Sequence, residues 1–449
     1  MSATGGGTLR RTLGFGDLVM LALGTVIGSG IFLVPGVVLK QSDGRLGLAL
    51  LVWIVGGVLS FLGALTYAEL GASRPDAGGL YTYIRDAFGP LPAFLYGWTS
   101  FLVIASGSVA TLAVAFSSYL GQLVPIGPAA SKLVALMMIV VIAAVNIRGT
   151  RTSASMENVT TAAKVGALIL MGGALIAVGR GWRDVGPIWP SAWNGSVFVA
   201  AGTAMIGVLW AYEGWQYVTF SAGETRDPQR TFPRGIVFGT AVLIAIYLLA
   251  NVAYVAALGP EQAASSERIA ADAVGALLGT GAGKLIEVVI LISMFSAANG
   301  LTLTAPRLYF AMSRDGLFFN KLAEVHPRFG TPAFAVVAGS LWAMLLAATG
   351  TFEQLLTYVV FVGWIFYALG ALSIFWYRKA NGAPSTYRVP GYPVTPVLFV
   401  AAAAAIVINT VFTQPGRAAV GIVLVLIGIP AFLFWQSRRR VPGAARTEV

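Results

Sequence analysis

The sequence contains no cysteine and only one histidine, His326, among its 449 residues. Because there are no thiols, disulfide bonds and thiolate metal sites are excluded. His326 belongs to the basic stretch KLAEVHPRFG, and no histidine lies within an apolar run. A serine–histidine hydrolase and a histidine-ligated zinc protease embedded in a membrane are therefore excluded as well.

Charged residues are also scarce, at 10% of the chain, whereas 57% of the residues are hydrophobic and the mean hydropathy is +0.80. A soluble protein of this length could not bury so much apolar surface, so the surrounding solvent is a bilayer. Apolar runs of about 20 residues, the length that crosses ~30 Å of hydrocarbon, recur along the whole chain. These twelve runs lie at about 17–39, 46–70, 88–120, 130–147, 158–179, 196–224, 234–258, 283–312, 333–350, 353–377, 393–412 and 417–436.

The runs lack the ten-residue alternation of membrane β-barrels. The sequence therefore predicts an all-α polytopic membrane protein with 12 transmembrane helices. We expect one transmembrane domain over 1–436 and a basic cytoplasmic tail over 437–449, since no linker divides the chain. The first run has no small-residue cleavage site, so a removable signal peptide is not expected.

The net charge of +11 is unevenly placed along the chain. Most lysines and arginines fall at the termini and in the even-numbered loops between the predicted helices. Examples are Arg10, Arg11, Arg148, Arg151, Lys321, Arg378, Lys379 and the Arg438–Arg440 run. This asymmetry is typical of the positive-inside rule and predicts that both termini are cytoplasmic. The basic excess then needs no nucleic-acid partner.

Two of the apolar runs are interrupted near their centres. The first contains GTVIGSGIF at residues 24–32, and the sixth contains YEGWQ at 212–216. Each glycine weakens a helix by roughly 1 kcal/mol relative to alanine. Close helix packing through small residues is one explanation. The other is a transporter built from inverted repeats, because the two runs are an odd number of helices apart and broken helices at matching positions mark such sites.

Four segments carry a family resemblance. GTVIGSGIF and YAELGASRPDAGGLYTYIRDAFGP (67–90) resemble signatures of the amino acid–polyamine–organocation (APC) superfamily. LWAYEGWQYVTFSAGETRDPQRTFPRGI (209–236) and SAANGLTLTAPRLYFAMSRDG (296–316) are similar to its L-type amino acid transporter-like branch. The resemblance implies a leucine-transporter-type fold of 5+5 inverted helices with helices 1 and 6 broken. The first repeat would span about 12–180, the second about 195–380, and helices 11–12 about 393–436.

A broken helix exposes backbone N–H groups at one end and C=O groups at the other, which are costly in hydrocarbon unless a ligand meets them. A zwitterionic amino acid supplies both partners. The resemblance assigns the substrate carboxylate to Gly28, Ser29 and Gly30. It assigns the ammonium to the carbonyl groups of Val26, Trp210, Ala211 and Glu213. For Ser29 alone, a hydrogen bond back to its own helix is the competing explanation.

Aromatic and polar side chains near the second break are further candidates. Trp210 and Tyr212 flank the break, and the resemblance implies a gate over the substrate at this position, whereas ordinary aromatic packing is the alternative. Path-lining roles are expected for Gln216, Asn299 and Thr302. At the inner face, gate pairs or simple topogenic charges are the two explanations for Arg226, Asp227, Arg230, Arg234, Glu69, Arg74 and Arg85.

Glu213 places a carboxylate within a predicted membrane helix, which costs a few kcal/mol unless it is paired or protonated. Three roles remain open: a counter-ion for a cationic substrate, a proton carrier, or a partner for a buried basic group.

Lys164 lies inside the fifth run, in NVTTAAKVGALILM. The resemblance places its ammonium opposite the break in helix 1, where sodium-coupled relatives of this fold hold an ion. The competing explanation is a side chain that snorkels to the cytoplasmic face.

Together these features predict a secondary transporter that works by alternating access, without catalysis, cofactor or metal. No nucleotide-binding motif is present, so ATP drive is not expected. We expect exchange or facilitated movement of neutral, and as an option cationic, L-amino acids. The alternatives are a proton-coupled symporter or exchanger of cationic amino acids or polyamines, and an ion channel, which is disfavoured because no filter sequence is seen. The expected setting is a plasma or bacterial inner membrane, with no disulfide-linked ancillary subunit.

Overall fold

The computed structural model describes residues 11–76, 78–380 and 386–439, without the side chains of Thr150, Thr280 and Arg439. Arg10, Arg440 and residues 441–449 of the predicted tail lie outside the described residues. The predicted all-α architecture is confirmed for the described part of the chain. There the only extended pairing is a single bridge between Leu13 and Thr225.

The first half of the chain begins with the two short helices of the first break and continues with long apolar helices. They are α1 (Phe15–Val26), α2 (Gly30–Gln41), α3 (Leu46–Ser73), α4 (Leu80–Phe88), α5 (Pro90–Thr99), α6 (Ala105–Leu123), α7 (Pro128–Ile147), α8 (Thr150–Val178) and α9 (Gly195–Ala211). A π-helical turn, Ser100–Ile104, joins α5 to α6, so that 90–123 forms one continuous rod.

The second half starts with a 3₁₀ segment, Trp215–Glu224, that continues the line of α9 after a turn. The following helices are α10 (Pro228–Leu258), α11 (Pro260–Ser265), α12 (Ile269–Leu278), α13 (Thr280–Thr304), α14 (Pro306–Arg314), α15 (Ala333–Thr349), α16 (Phe352–Ala380), α17 (Val394–Thr413) and α18 (Pro415–Arg439). Several helices start on proline, whose fixed φ and missing N–H suit the first helical position.

Ten helices in the described ranges are long and apolar enough to cross a membrane, or eleven if α1 and α2 count as one span bent by 50°. Two further apolar helices are shorter than these, α15 with 17 residues and α12 with 10. Large apolar side chains lie on the outside of the bundle, such as Phe412 (80% exposed) and Leu170 (75% exposed). This apolar exterior suits hydrocarbon and supports a multi-pass membrane protein.

The two broken helices occupy the centre of the bundle. α1 packs against α8, α10 and α13, and α2 packs against α9 and α11. Nearly all of the 18–39 segment is therefore buried, although it is interrupted. Its polar backbone groups cannot reach lipid, which is the condition under which irregular backbone is tolerated at membrane depth.

The end of the bundle near the start of α1 is held by ion pairs. Arg378 binds the Glu69 carboxylate through two nitrogens at 2.7 and 2.6 Å, and Arg85 lies 2.6 Å from Asp315. Arg74 lies 2.8 Å from Asp76. In the described ranges, no oppositely charged side chain lies within 4 Å of the remaining members of the predicted inner-face cluster: Arg226, Asp227, Arg230 and Arg234. Three of the seven cluster members, Glu69, Arg74 and Arg85, thus form ion pairs.

Candidate functional site

The first break separates α1 from α2 over three residues, 27–29. The α1 ladder ends with the Ile27 N–H, which bonds the Leu23 carbonyl at 2.9 Å. Ser29 caps α2 and accepts two N–H bonds on its carbonyl, at 3.1 Å, from Phe32 and Leu33. The first N–H groups of α2 have no intrahelical acceptor and form the positive end of the helix dipole. This end is suited to an anion.

The second break lies directly against the first. α9 ends at Ala211, and the chain turns at Gly214. The φ of Gly214 is +132°, a backbone angle that favours glycine. A methyl group on Gly30 would overlap the backbone and the methyl of Ala211, and one on Gly214 would come within 2.8 Å of the Thr25 carbonyl oxygen. The missing side chains therefore allow the two breaks to touch.

Between the breaks lies a pocket of about 290 Å³. Its lining is mostly the two breaks, with α6 and α13 closing the other side: Thr25, Val26, Gly28, Ser29, Gly30, Ser108, Leu112, Trp210, Glu213, Ala297 and Leu301. Six of the predicted binding residues thus come together, namely Val26, Gly28, Ser29, Gly30, Trp210 and Glu213, and the seventh, Ala211, packs behind Gly30.

Trp210 covers part of this pocket. Its indole Nε1 donates to the Ser29 hydroxyl at 3.3 Å, and its ring meets Phe352 edge-on at 6.3 Å. The side chain is 6% exposed. Trp210 therefore connects the first break, the second break and the start of α16.

Glu213 contributes a buried carboxylate to the pocket wall. Its Oε1 accepts two bonds of 2.5 Å, from the Gln216 amide and from the Tyr367 hydroxyl. Among the described residues nothing bonds Oε2. Because Glu213 also lines the pocket, this second oxygen is available to a ligand.

The carbonyl groups at the first break already have donors. The Lys164 ammonium, fully buried, donates to Gly24 O at 2.7 Å and to Ile27 O at 2.8 Å. The Tyr247 hydroxyl lies 3.2 Å from Val26 O and 3.0 Å from Ala211 O, so it links the two breaks. A carbonyl oxygen has two lone pairs, so Val26 and Ala211 keep the capacity for a second donor.

Besides Ala211 and Lys164, four predicted residues lie outside the pocket lining. Tyr212 belongs to an aromatic cluster with Trp53 and Tyr247, and its hydroxyl donates to Trp53 O at 3.3 Å. Thr302 donates to Ala298 O at 2.8 Å and lines a different cavity between α6, α13 and α15.

The other two lie in polar networks. Gln216 lies next to Glu213 and donates from its amide to Glu213 Oε1. Asn299 bonds Glu157, Asn146 and Ser153 at the side of α13 that faces α7 and α8. Among the described residues, no group of three or more His, Asp or Glu side chains is arranged to hold a metal ion.

Several site residues were not predicted. Tyr247 and Tyr367 lie on long apolar helices, where a tyrosine carries no signal of its own. Glu157 precedes the predicted fifth run at 158–179, but α8 starts at Thr150, so this carboxylate lies inside the bundle and is 1% exposed. Arg307 lies in the predicted eighth run and pairs with Glu224 at 3.1 Å, with both side chains buried. Glu157 and Glu224 are recognised as buried acidic residues only in the tertiary structure.

Comparison with known proteins identifies the family of this chain. The family profile described as "Amino acid permease" matches residues 13–433. The serine/threonine exchanger SteT of Bacillus subtilis (strain 168) is 32% identical over 435 residues, which cover 96% of this chain and 98% of that protein. The large neutral amino acids transporter small subunit 2 of Homo sapiens is 30% identical, covering 97% of this chain and 83% of that protein. The cystine/glutamate transporter of Homo sapiens is 31% identical, covering 94% and 85%.

The family profile spans nearly the whole chain, and each of these relatives is aligned over more than four fifths of its own length. The superfamily resemblance predicted from the four sequence segments is thereby confirmed. The chain belongs to the amino acid permease family of the APC superfamily and is a secondary amino acid transporter.

Proposed function

We propose that this chain exchanges neutral L-amino acids across a bilayer by alternating access, without a chemical reaction. The observation that carries the proposal is a pocket lined by both helix breaks. The names of the relatives support it, since they include a serine/threonine exchanger and a large neutral amino acids transporter subunit.

In this proposal the chain forms 12 spans, with α1–α2 and α9 with its 3₁₀ extension as the broken helices of two inverted repeats. The repeats cover about 12–180 and 195–380, helices 11–12 cover about 393–436, and both termini are cytoplasmic. The tail at 437–449 follows on the cytoplasmic side. The positions of the two breaks at the centre of the bundle support this arrangement.

The substrate carboxylate would bind the N–H groups of Gly28, Ser29 and Gly30 at the start of α2, where the helix dipole favours an anion. The ammonium would bind the carbonyl groups at the end of α1 and α9, including Val26 and Ala211. Lys164 would take the place of a bound cation by holding the carbonyl groups of Gly24 and Ile27. Trp210 would act as the gate through its contact with Ser29.

The pocket favours a small substrate side chain. Its far wall is built from Ser108, Leu112, Ala297 and Leu301, which offer mainly apolar contacts. Among the lining residues, Glu213 is the one charged side chain that a neutral substrate would contact. Substrates with small side chains, such as serine, threonine and alanine, suit this lining.

A second candidate is exchange or proton-coupled symport of cationic amino acids, favoured by the unbonded Oε2 of Glu213. A guanidinium or ammonium group at this oxygen would form a charge-assisted hydrogen bond worth roughly 1.5–3 kcal/mol. The relatives' names give neutral substrates more support, so this role is the alternative.

Glu213→Gln separates the two candidates. If cationic substrates use Oε2, arginine uptake falls about tenfold or more relative to serine uptake, because the amide removes the charge but keeps the shape. The measurement is the ratio of initial rates for labelled arginine and serine in liposomes. Glu261→Gln, at an exposed glutamate of α11, is the matched control. An unchanged ratio in Glu213→Gln would rule out a counter-ion role.

The exchange itself is tested with purified protein in liposomes. Uptake of labelled serine, alanine, leucine, arginine and putrescine is compared with and without unlabelled serine inside. We expect serine and alanine to enter quickly only when the lumen contains amino acid. Uptake driven by an inward proton gradient alone would select symport, and no uptake under any condition would refute amino acid transport by this chain.

The chain has no cysteine, so it cannot form a disulfide bond to a partner subunit. One relative is named as a small subunit. We propose that this chain transports without a disulfide-linked ancillary subunit, in a plasma or bacterial inner membrane.

A further inference from the structure

A second buried carboxylate, Glu157, lies beside the substrate pocket but does not line it. Its Oε2 accepts a bond of 2.9 Å from the Asn299 amide, and its Oε1 accepts bonds from Ser296 at 3.2 Å and Thr161 at 3.4 Å. Every one of these donors is neutral. In the described ranges no lysine or arginine nitrogen lies within 4 Å of this carboxylate.

The carboxylate fits a notch in the first broken helix. A methyl group on Gly24 would collide with Glu157 Oε1, and one on Gly300 would come within 3.2 Å of the same oxygen. Gly24 is also the residue whose carbonyl binds the Lys164 ammonium at 2.7 Å. Glu157 and Lys164 therefore contact the same turn of α1, just before it breaks.

A purely structural role does not require a charge here. An amide would fill the same notch, whereas a carboxylate without an ion pair inside a membrane costs a few kcal/mol. Intramembrane carboxylates of this kind are typically functional, and proton relays are a common use.

Glu157 also borders a second cavity, which shares no lining residue with the substrate pocket. This cavity of about 360 Å³ lies between the start of α1, the start of α8, the 3₁₀ segment and the junction of α13 with α14. Its charged lining is Asp17, Glu224 and Arg307 besides Glu157. The charged side chains in this lining can bind water, which carries protons to a buried group. In the proposed topology it lies on the cytoplasmic side.

The charged and titratable groups that face Glu157 come from four elements. Lys164 lies on α8 itself, Asp17 on α1, Glu224 on the 3₁₀ segment and Arg307 on α14. Glu224 and Arg307 pair with each other at 3.1 Å, and Asp17 accepts a 2.9 Å bond from Asn158. α13 and α7 present neutral side chains to this network, Ser296, Asn299 and Asn146. Glu157 is thus the carboxylate placed between the cavity and the break.

We propose that Glu157 is a proton-binding site that sets the exchange rate according to cytoplasmic pH. A proton from cavity water adds to a carboxylate oxygen, and the neutral acid returns it to the same cavity. While Glu157 is ionised, its charge balances the Lys164 ammonium across Gly24. Protonation leaves the ammonium as a net charge within the bundle, which destabilises the break and slows reorientation. Acidification inside therefore lowers exchange, and no proton crosses with the substrate.

The test is the pH dependence of serine exchange in liposomes, with equal pH on both sides and saturating internal serine. We expect the wild-type rate to fall several-fold on acidification, and Glu157→Gln to exchange at a rate that changes little with pH. Glu267→Gln, at an exposed glutamate between α11 and α12, should keep the wild-type profile. A wild-type profile in Glu157→Gln would overturn the proposal.

Two further measurements cover the other outcomes. If Glu157→Gln does not accumulate in the membrane, Glu157→Asp keeps a titratable group, and its pH midpoint must shift; an unshifted midpoint overturns the proposal. A rate that depends on sodium at constant pH, and loses that dependence in Glu157→Gln, would overturn it in favour of a cation site.

The inference rests on the proposed exchange. Its own failure is distinguishable, because wild-type protein inactive at every pH would count against exchange instead.

Discussion

Lys164→Met is expected to lower amino acid exchange at least tenfold while the protein still inserts into the membrane. Methionine keeps the length and apolar stem of lysine but cannot donate a hydrogen bond. The substitution removes both bonds from Nζ, to Gly24 O and Ile27 O. Hydrogen bonds to charged groups contribute roughly 1.5–3 kcal/mol each, and a tenfold change corresponds to about 1.4 kcal/mol.

The effect should be specific to the break. Gly24 O loses its side-chain donor altogether, whereas Ile27 O keeps the Ser293 hydroxyl at 3.0 Å. Lys132→Met, at an exposed lysine near the start of α7, is the control and should exchange at the wild-type rate. Initial rates are normalised to the amount of inserted protein. Near-normal exchange by Lys164→Met would exclude the ammonium as the group that holds the break.

Gly30→Ala is the second substitution with a large expected effect. The added methyl group would overlap the backbone of Ala211, which cannot rotate away as a long side chain can. Either the two breaks separate or the pocket deforms, and overpacking of this kind typically costs 1–3 kcal/mol. We expect serine binding and exchange to fall roughly tenfold to a hundredfold.

Gly16→Ala provides the matched control for this experiment. Gly16 lies on α1, and a methyl group there would meet nothing within 4 Å. Alanine favours the helix by roughly 1 kcal/mol at such a site, so this variant should be at least as stable as wild type and equally active. Equal exchange by Gly30→Ala and Gly16→Ala would show that close contact between the breaks is unnecessary.

Sequence patterns anticipate the helices and the breaks for clear physical reasons. Apolar runs of membrane length must become helices, because a chain in hydrocarbon has to satisfy its own backbone. Glycine and serine within such a run mark a place where this rule is relaxed, and both marked places, GTVIGSGIF and YEGWQ, are breaks in the structure. Lys164 is marked for the same reason, because it places a charge within an apolar run.

The remaining site residues could not be found this way, since their roles depend on distant partners. Tyr247 meets a carbonyl 221 residues away, and Arg307 meets Glu224 at a separation of 83 residues. Glu157 was missed because TRTSASMENVTT has the composition of a loop. This stretch is helical. The Glu157 carboxylate is buried because α13 and the last turn of α1 cover it. A hydropathy profile does not show which distant residues bury a side chain.

The central claim is that the two breaks form one site that binds both charged groups of an amino acid. Competition for labelled serine on the purified protein tests it most directly, with three unlabelled competitors: serine, ethanolamine, which lacks the carboxylate, and glycerate, which lacks the ammonium. Each missing group should weaken binding by about tenfold or more, because each removes charge-assisted hydrogen bonds. We predict displacement by serine alone at equal concentrations. Equal displacement by ethanolamine or by glycerate would contradict the claim.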